Sequence, residues 1–231
     1  PMLPGQPLGV ALSDEVMLLQ VEAEGGYRLL AHYLASGGTY QLPVGTGDVG
    51  GIDVEGDTAI WWEGTYDAAT AGYIDQHIYA YQLPDGPKID VVKDAANVGY
   101  PQIAGRWLTW VEGSPWEENP EEYWRMPIFG ALLDSQGRPV DNPTRLVPSA
   151  VASILGDSGW TYSLSATFLA WEQATEIEGA TAGTHVVDIG TLEMQSLGPD
   201  AWRPSLSEDK LVYWENGLAM LDLTSGESSV L

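Results

Sequence analysis

The sequence predicts an all-β fold, a five-bladed β-propeller of four-stranded antiparallel blades. Three observations lead there. A short apolar run ending in Glu recurs five times along 231 residues. Each run sits between similar neighbours, a short segment with a turn before it and two shorter apolar segments after it. Helical spacing near 3.6 is missing, while 27 Gly and 15 Pro interrupt the chain too often for helices.

The five runs are Met17–Glu22, Ala59–Glu63, Leu108–Glu112, Leu169–Glu172 and Leu211–Glu215, with Glu-to-Glu spacings of 41, 49, 60 and 43. Periods of about 40–50 residues are those of propeller blades. Ahead of the runs lie Gly9–Asp14, Gly51–Asp57, Pro101–Gly105, Tyr162–Ser165 and Pro204–Asp209. Behind them come Ala31–Gly37, Ile78–Gly86, Ile128–Gly137, His185–Ile189 and Met220–Gly226. A last short strand follows at Tyr40–Leu42, Ile89–Val92, Arg145–Val147, Met194–Leu197 and Ser229–Leu231. These are strands a, b, c and d of one up-and-down sheet, with Gly, Asp and Pro supplying the turns. Strand b is apolar at consecutive positions, as expected where neighbouring blades bury both faces. The blades fall at about 7–45, 46–98, 99–148, 160–200 and 201–231 of a single propeller domain. The recurring Glu stands at the end of each strand b and is expected to serve one structural duty.

Pro101-Gln102-Ile103-Ala104-Gly105-Arg106-Trp107-Leu108-Thr109-Trp110 resembles the first half of the TolB-type, WD40-like propeller repeat. Ile78-Tyr79-Ala80-Tyr81-Gln82-Leu83-Pro84-Asp85-Gly86 and Leu221-Asp222-Leu223-Thr224-Ser225-Gly226 resemble its second half, D-I-Y-x-Y-D-L-x-T-G. The resemblance implies the propeller fold and an exported protein, extracellular, periplasmic or at the cell surface. On activity its motifs say almost nothing. His77 and Gln82 stand where that repeat has Asp, so the turn contacts of those carboxylates are in question in the second blade. Pro1 opens the chain with no charged-then-apolar leader behind it. The five blades either close as their own ring or belong to a larger ring or longer protein.

Composition narrows the partners. Nine Lys plus Arg against 33 Asp plus Glu give a net charge of −24, which repels nucleic acid and anionic membrane surfaces. No apolar stretch is long enough for a membrane span. Without Cys there is no disulfide framework and no thiolate metal site. Gly45-Thr46-Gly47-Asp48-Val49-Gly50 fits G-x-G-x-x-G but leads into a strand, so it is a connection and not a phosphate cradle. Asp53, Glu55 and Asp57 lack the Gly and the terminal acid of an EF-hand. No cofactor is expected; a loosely bound calcium ion is the one metal that surface carboxylates leave open. His32, His77 and His185 fall in strand c of separate blades, too far apart for a zinc site.

The long connections, 64–76, 113–126, 173–184 and 148–161, all leave one face, where loops on a rigid scaffold carry binding. The candidate ligand site combines Tyr66, Asp67, Tyr73 and Asp75 with Trp116, Glu117, Glu118, Glu121, Glu122, Tyr123 and Trp124. Rings beside carboxylates suit a carbohydrate or a basic protein segment. The function read from this is a non-enzymatic binding or scaffold module. The alternatives are a carbohydrate-active enzyme, hydrolase or lyase, using Asp53 with Glu63 or a loop acid, or an accessory domain of a larger exported enzyme. Strand a offers Asp53 as its single acid, a poor inner ring for the paired carboxylates that glycoside chemistry needs.

Overall fold

The computed structural model describes residues 7–69, 72–95, 98–115, 123–153, 162–174 and 181–231. Every regular element among them is a strand. No helix is long and apolar enough to cross a membrane among the described residues. The chain forms five antiparallel sheets in which sequence neighbours pair. The first is β1 (Pro7–Leu12), β2 (Val16–Ala23), β3 (Gly26–Tyr33) and β4 (Thr39–Gln41). The second is β5 (Asp48–Glu55), β6 (Thr58–Asp67), β7 (Gly72–Gln82) and β8 (Lys88–Ala95). The third comprises β9 (Val98–Ala104), β10 (Trp107–Glu112), the two-residue β11 (Ser114–Pro115), β12 (Tyr123–Leu132) and β13 (Thr144–Ser153). The fourth is β14 (Tyr162–Leu164), β15 (Phe168–Gln173), β16 (Gly183–Asp188) and β17 (Met194–Ser196). The fifth is β18 (Trp202–Ser207), β19 (Lys210–Trp214), β20 (Leu218–Asp222) and β21 (Ser228–Val230). This is the five-bladed pattern expected from the repeats. By contact density the chain divides into two compact units, Pro1–Glu112 with Ala131–Pro143, and Gly113–Gly130 with Thr144–Leu231.

One main-chain bond repeats in every blade. The amides of Leu34, Leu83, Leu133, Ile189 and Leu223, just past strand c, donate to the carbonyls of Glu15, Asp57, Arg106, Thr167 and Asp209 in the a–b turn, at 2.8–2.9 Å. It ties the two turns of a blade at one end, so each sheet folds as a closed local unit.

That bond sets a common count along strand b. Its fourth residue is Leu19, Trp61, Trp110, Trp171 or Tyr213, buried in every blade. Its third is Leu18, Ile60, Thr109, Ala170 or Val212. The alternation decides which neighbour each residue meets. In the first unit Leu18 shares a core cluster with Val49, Val54, Ala59 and Trp61 of the second sheet. In the second unit Ala170 shares one with Leu211 and Tyr213 of the fifth. In these two pairs of sheets the first and third residues thus look forward to the next blade, and the second and fourth look back.

The expectation of one shared duty for the recurring Glu fails on this count. Glu63, Glu112 and Glu215 are sixth residues, Glu172 is a fifth and Glu22 a seventh. A one-residue offset puts a strand side chain on the opposite face. Glu172 looks forward, and its Oε2 accepts the Arg203 amide of the next blade at 3.0 Å. Gln20, also a fifth residue, donates from Nε2 to the Val49 carbonyl at 2.6 Å. Glu22 and Glu215 are exposed.

Other side chains clasp consecutive blades by their strand a backbone. Gln76 donates to the Val98 carbonyl at 3.1 Å and accepts the Val98 amide at 3.0 Å. Ser163 Oγ accepts the Leu206 amide at 2.9 Å. Strand a of a blade exposes main-chain groups that its own sheet does not use, and these bonds satisfy them.

The c–d turns answer the question raised by Gln82. Asp188 Oδ1 accepts the amides of Gly190 and Thr191 at 2.8 and 2.9 Å. Asp222 Oδ1 accepts those of Thr224 and Ser225 at 2.9 and 2.8 Å. In the second blade Gln82 makes no such cap; its Oε1 accepts the Thr58 hydroxyl at 3.1 Å, and its carbonyl accepts the Gly86 amide at 2.7 Å. Asp222 also pairs with Lys210. That ammonium, with the two turn amides, pulls the Asp222 carboxyl down to about 2. A depressed carboxyl stabilises the fold above its unfolded value, near 3.9, and loses that contribution as pH falls toward 2. In an NMR titration the Asp222 carboxyl should show a midpoint at about 2, and Lys210→Met should move it upward.

Candidate functional site

The connection expected at 64–76 is mostly strand. β6 and β7 continue as a hairpin arm, with Thr65 opposite Ile74, Tyr66 opposite Tyr73 and Asp67 opposite Gly72. β-branched and aromatic residues on both sides of Asp67 favour pairing over an open loop. A register shift between Glu63 and Thr65 turns the arm relative to the sheet below. Tyr66 is 52% exposed and meets Tyr73 edge-on, with ring centroids 5.6 Å apart. Asp67 Oδ1 accepts the Ala69 amide at 3.0 Å and so caps the arm's turn. Asp75 is exposed, with a left-handed φ of 52°. These four expected site residues therefore share one arm.

The second cluster of expected residues divides. Trp116, Glu117, Glu118, Glu121 and Glu122 lie outside the described residues. Tyr123 and Trp124 belong to β12, whose backbone pairs with β13, Tyr123 opposite Ser153 and Trp124 opposite Ala152. The 113–126 connection thus begins and ends as paired strand, Ser114 opposite Arg125 and Pro115 opposite Trp124. The 148–161 connection is likewise strand as far as Ser153. Of 173–184, Gly183 and Thr184 already belong to β16, and 175–180 lie outside the described residues.

Three residues that sequence reasoning left out join the arm. The Trp62 ring packs 5.0 Å from Tyr73 at 64°. On its other side the indole lies on the β5 backbone: a Cβ on Gly50 would come within 2.7 Å of Trp62, and one on Gly51 within 2.8 Å of Trp62 and 2.5 Å of Pro101. Gly51 also has a left-handed φ of 56°. Two glycines are therefore what lets the indole settle there. Asp48 and Tyr27 stand close enough to act on the Tyr73 hydroxyl, which burial first and then these neighbours and Tyr66 push above the ordinary tyrosine value. The sequence carries a signal in the Gly50-Gly51 pair, which the motif reading divides, Gly50 closing the connection and Gly51 opening strand a. Trp62 was counted as core, one position from the buried Trp61.

The carboxylates weighed for catalysis have other partners. Asp53 Oδ1 accepts the Val54 amide and Oδ2 the Ile103 amide of the next blade, both at 2.9 Å. Burial raises its carboxyl above the ordinary range, and the two amides work against that rise. Asp53 is not the single acid of strand a, since Asp48 and Glu55 also lie in β5. Glu55 Oε1 accepts the Gly105 amide at 3.3 Å, a second clasp to the next blade. Glu63 is buried and accepts from the Trp61 indole at 2.7 Å, from Lys88 at 2.6 Å and from the Gly45 amide at 3.0 Å. Lys88 in turn lies 3.7 Å over the Tyr79 ring. His77 stacks on Tyr79 and pairs with Asp90 at 3.0 Å, while His185 stacks on Trp171. The G-x-G-x-x-G glycines are explained by the same packing. Gly45 donates to Glu63, and a Cβ on Gly47 would lie 2.5 Å from the Gly64 carbonyl oxygen.

No family model matches the sequence, and no curated relative does. Solved structures do. TolB from Acinetobacter baumannii is 10% identical with a TM-score of 0.55, covering 97% of this chain and 53% of its own. A putative TolB from Agrobacterium tumefaciens is 13% identical with a TM-score of 0.54, covering 99% and 81%. A structure from a study of two prolyl endopeptidases is 14% identical with a TM-score of 0.67, covering 97% and 34%. The chain has the fold of TolB-like propellers, as the repeat motifs implied. It spans about half of the Acinetobacter protein and a third of the prolyl endopeptidase.

Two substitutions test this geometry. Gly51→Ala should lower stability by about 1–3 kcal/mol in urea unfolding, from a left-handed φ and contact with Pro101 and Trp62 together. Lys88→Met should cost about 1–2 kcal/mol, because Glu63 loses its cation while staying buried.

Proposed function

We propose that this chain is a non-enzymatic binding module that holds a basic protein segment at the aromatic arm of its second blade. The observation behind this reading is the group of Tyr66, Tyr73 and Trp62 with Asp48, Asp67 and Asp75 on one hairpin arm and the strand beside it. A ring attracts a Lys or Arg side chain by its face, and nearby carboxylates add charge. The −24 net charge raises the local concentration of a cationic partner and speeds its approach. Asp53 and Glu63 are engaged by main-chain donors, an indole and a lysine, which supports binding over acid–base catalysis. The half-exposed ring of Tyr66 also favours a second reading, a carbohydrate stacked on it. An exported setting, or a place within a larger protein, accords with the TolB-type motifs.

Fluorescence anisotropy with a labelled peptide of alternating Lys and Ser, beside a panel of neutral oligosaccharides, separates the two. Peptide binding should weaken with added salt. Tyr66→Ala should weaken it about fivefold to tenfold with the melting temperature unchanged. Oligosaccharide binding lost in the same variant would favour the second reading, and a peptide affinity indifferent to Tyr66→Ala would exclude the arm.

A further inference from the structure

The outer edge of the fourth blade is open. β17 pairs with β16 alone, Gln195 opposite Val186 and Met194 opposite Val187. The Asp188 amide donates to the Glu193 carbonyl and the Leu197 amide to the Thr184 carbonyl, both at 3.0 Å. Main-chain groups alternate in direction along an antiparallel strand, so Glu193, Gln195 and Leu197 turn theirs toward β16. The N–H and C=O of Met194 and Ser196 therefore point away from the sheet, on a strand exposed along its length. Beside this edge lies a cleft of about 280 Å³, lined by Phe168, Val186, Asp188, Glu193, Gln195 and Leu223. Leu223 comes from the fifth blade. The others share one face of the fourth, since Phe168 stands opposite Asp188 and Val186 opposite Gln195.

The cleft has an apolar floor and an acidic rim. Val186 is buried, and the half-buried Phe168 and Leu223 pack against the same core cluster. Asp188 uses Oδ1 for the amides of Gly190 and Thr191, which leaves Oδ2 unengaged among the described residues. The exposed Glu193 carboxylate has no cation among them either. Drug-sized ligands take pockets of roughly 300–1,000 Å³, so this volume suits one long side chain. Lys and Arg combine an apolar stem with a cationic head, which matches floor and rim. We propose that the edge of the fourth blade takes an extended segment of a partner protein as an added strand, with a Lys or Arg of that segment in the cleft. Main-chain bonds to Met194 and Ser196 supply affinity, and the cleft selects the side chain. Residues opposite each other on paired strands share a face, so alternate side chains of the added strand fall on the side of Glu193 and Gln195. The site stands on a different blade from the aromatic arm and does not rest on it.

The probe is a labelled peptide, Thr-Val-Thr-Lys-Thr-Val-Thr, followed by anisotropy and by amide hydrogen exchange of the whole chain. Binding should slow exchange at the Met194 and Ser196 amides. Met194→Pro removes an outward N–H that β16 does not use, so the melting temperature should hold while affinity falls about tenfold. Glu193→Lys should weaken binding about fivefold, as should norleucine in place of the peptide's Lys. If Met194→Pro lowers the melting temperature, the peptide decides instead. Of two peptides N-methylated at odd or at even positions, one alone should lose binding, because only alternate amides of an added strand face its neighbour. Equal behaviour of the two overturns the proposal, as does undiminished affinity in a folded Met194→Pro. Peptide binding that leaves exchange at Met194 and Ser196 unchanged overturns it too, and leaves the arm's reading standing. Equal affinity for a peptide with Glu in place of Lys removes the cleft's role. Exchange at these amides that slows with the chain's own concentration assigns the edge to a second copy and overturns the peptide partner.

Discussion

Four of the five sheets depend on an aromatic wedge in the middle of their second strand. Trp61, Trp110, Trp171 and Tyr213 occupy the fourth position of that strand and are buried, with Leu19 in their place in the first blade. A sheet with helices on neither side has two faces to cover, and only another sheet can cover them. Sheets packed face to face stand about 10 Å apart, a distance that a large ring fills better than an aliphatic side chain. The ring also has a polar edge, which Glu63 satisfies for Trp61. The corresponding residue in the fourth blade is Gln173, and there the Trp171 indole N–H has no acceptor among the described residues.

The polar contacts between blades follow from the same packing. Strand a pairs on one side only, so part of its backbone needs partners from elsewhere. Gln20, Asp53, Gln76, Ser163 and Glu172 supply them from the preceding blade. An acid in strand a is therefore not by itself a sign of chemistry. Asp53 is half-buried, raised in pKa and engaged at both oxygens as an acceptor for amides, the state of a structural carboxylate. Its rise makes a contribution opposite in sign to that of Asp222, favouring the fold at low pH and fading as pH climbs through its own titration.

The candidate site is built where the second blade departs from its siblings. Its second and third strands run on as an arm, and its first strand carries two adjacent glycines. Regular positions serve packing and are used up by it. Departures leave rings half covered on a rigid support, which is where recognition can be placed at little cost to the fold.

The number of blades and the order of their strands were legible in the chain itself, because turn chemistry and apolar runs are local and repeat. It also placed Tyr66, Asp67, Tyr73 and Asp75 in one group, because they are close along the chain. Tertiary structure alone decided the rest. Whether Glu63 and Glu172 share a duty depends on a one-residue difference in register, and apolar runs do not reveal which face a residue takes. Whether 64–76 is loop or paired strand depends on a bulge at Gly64. That Trp62, Pro101 and Gly51 meet depends on two blades coming together 50 residues apart, and a sequence spells out neighbours along the chain, not across the gap between sheets.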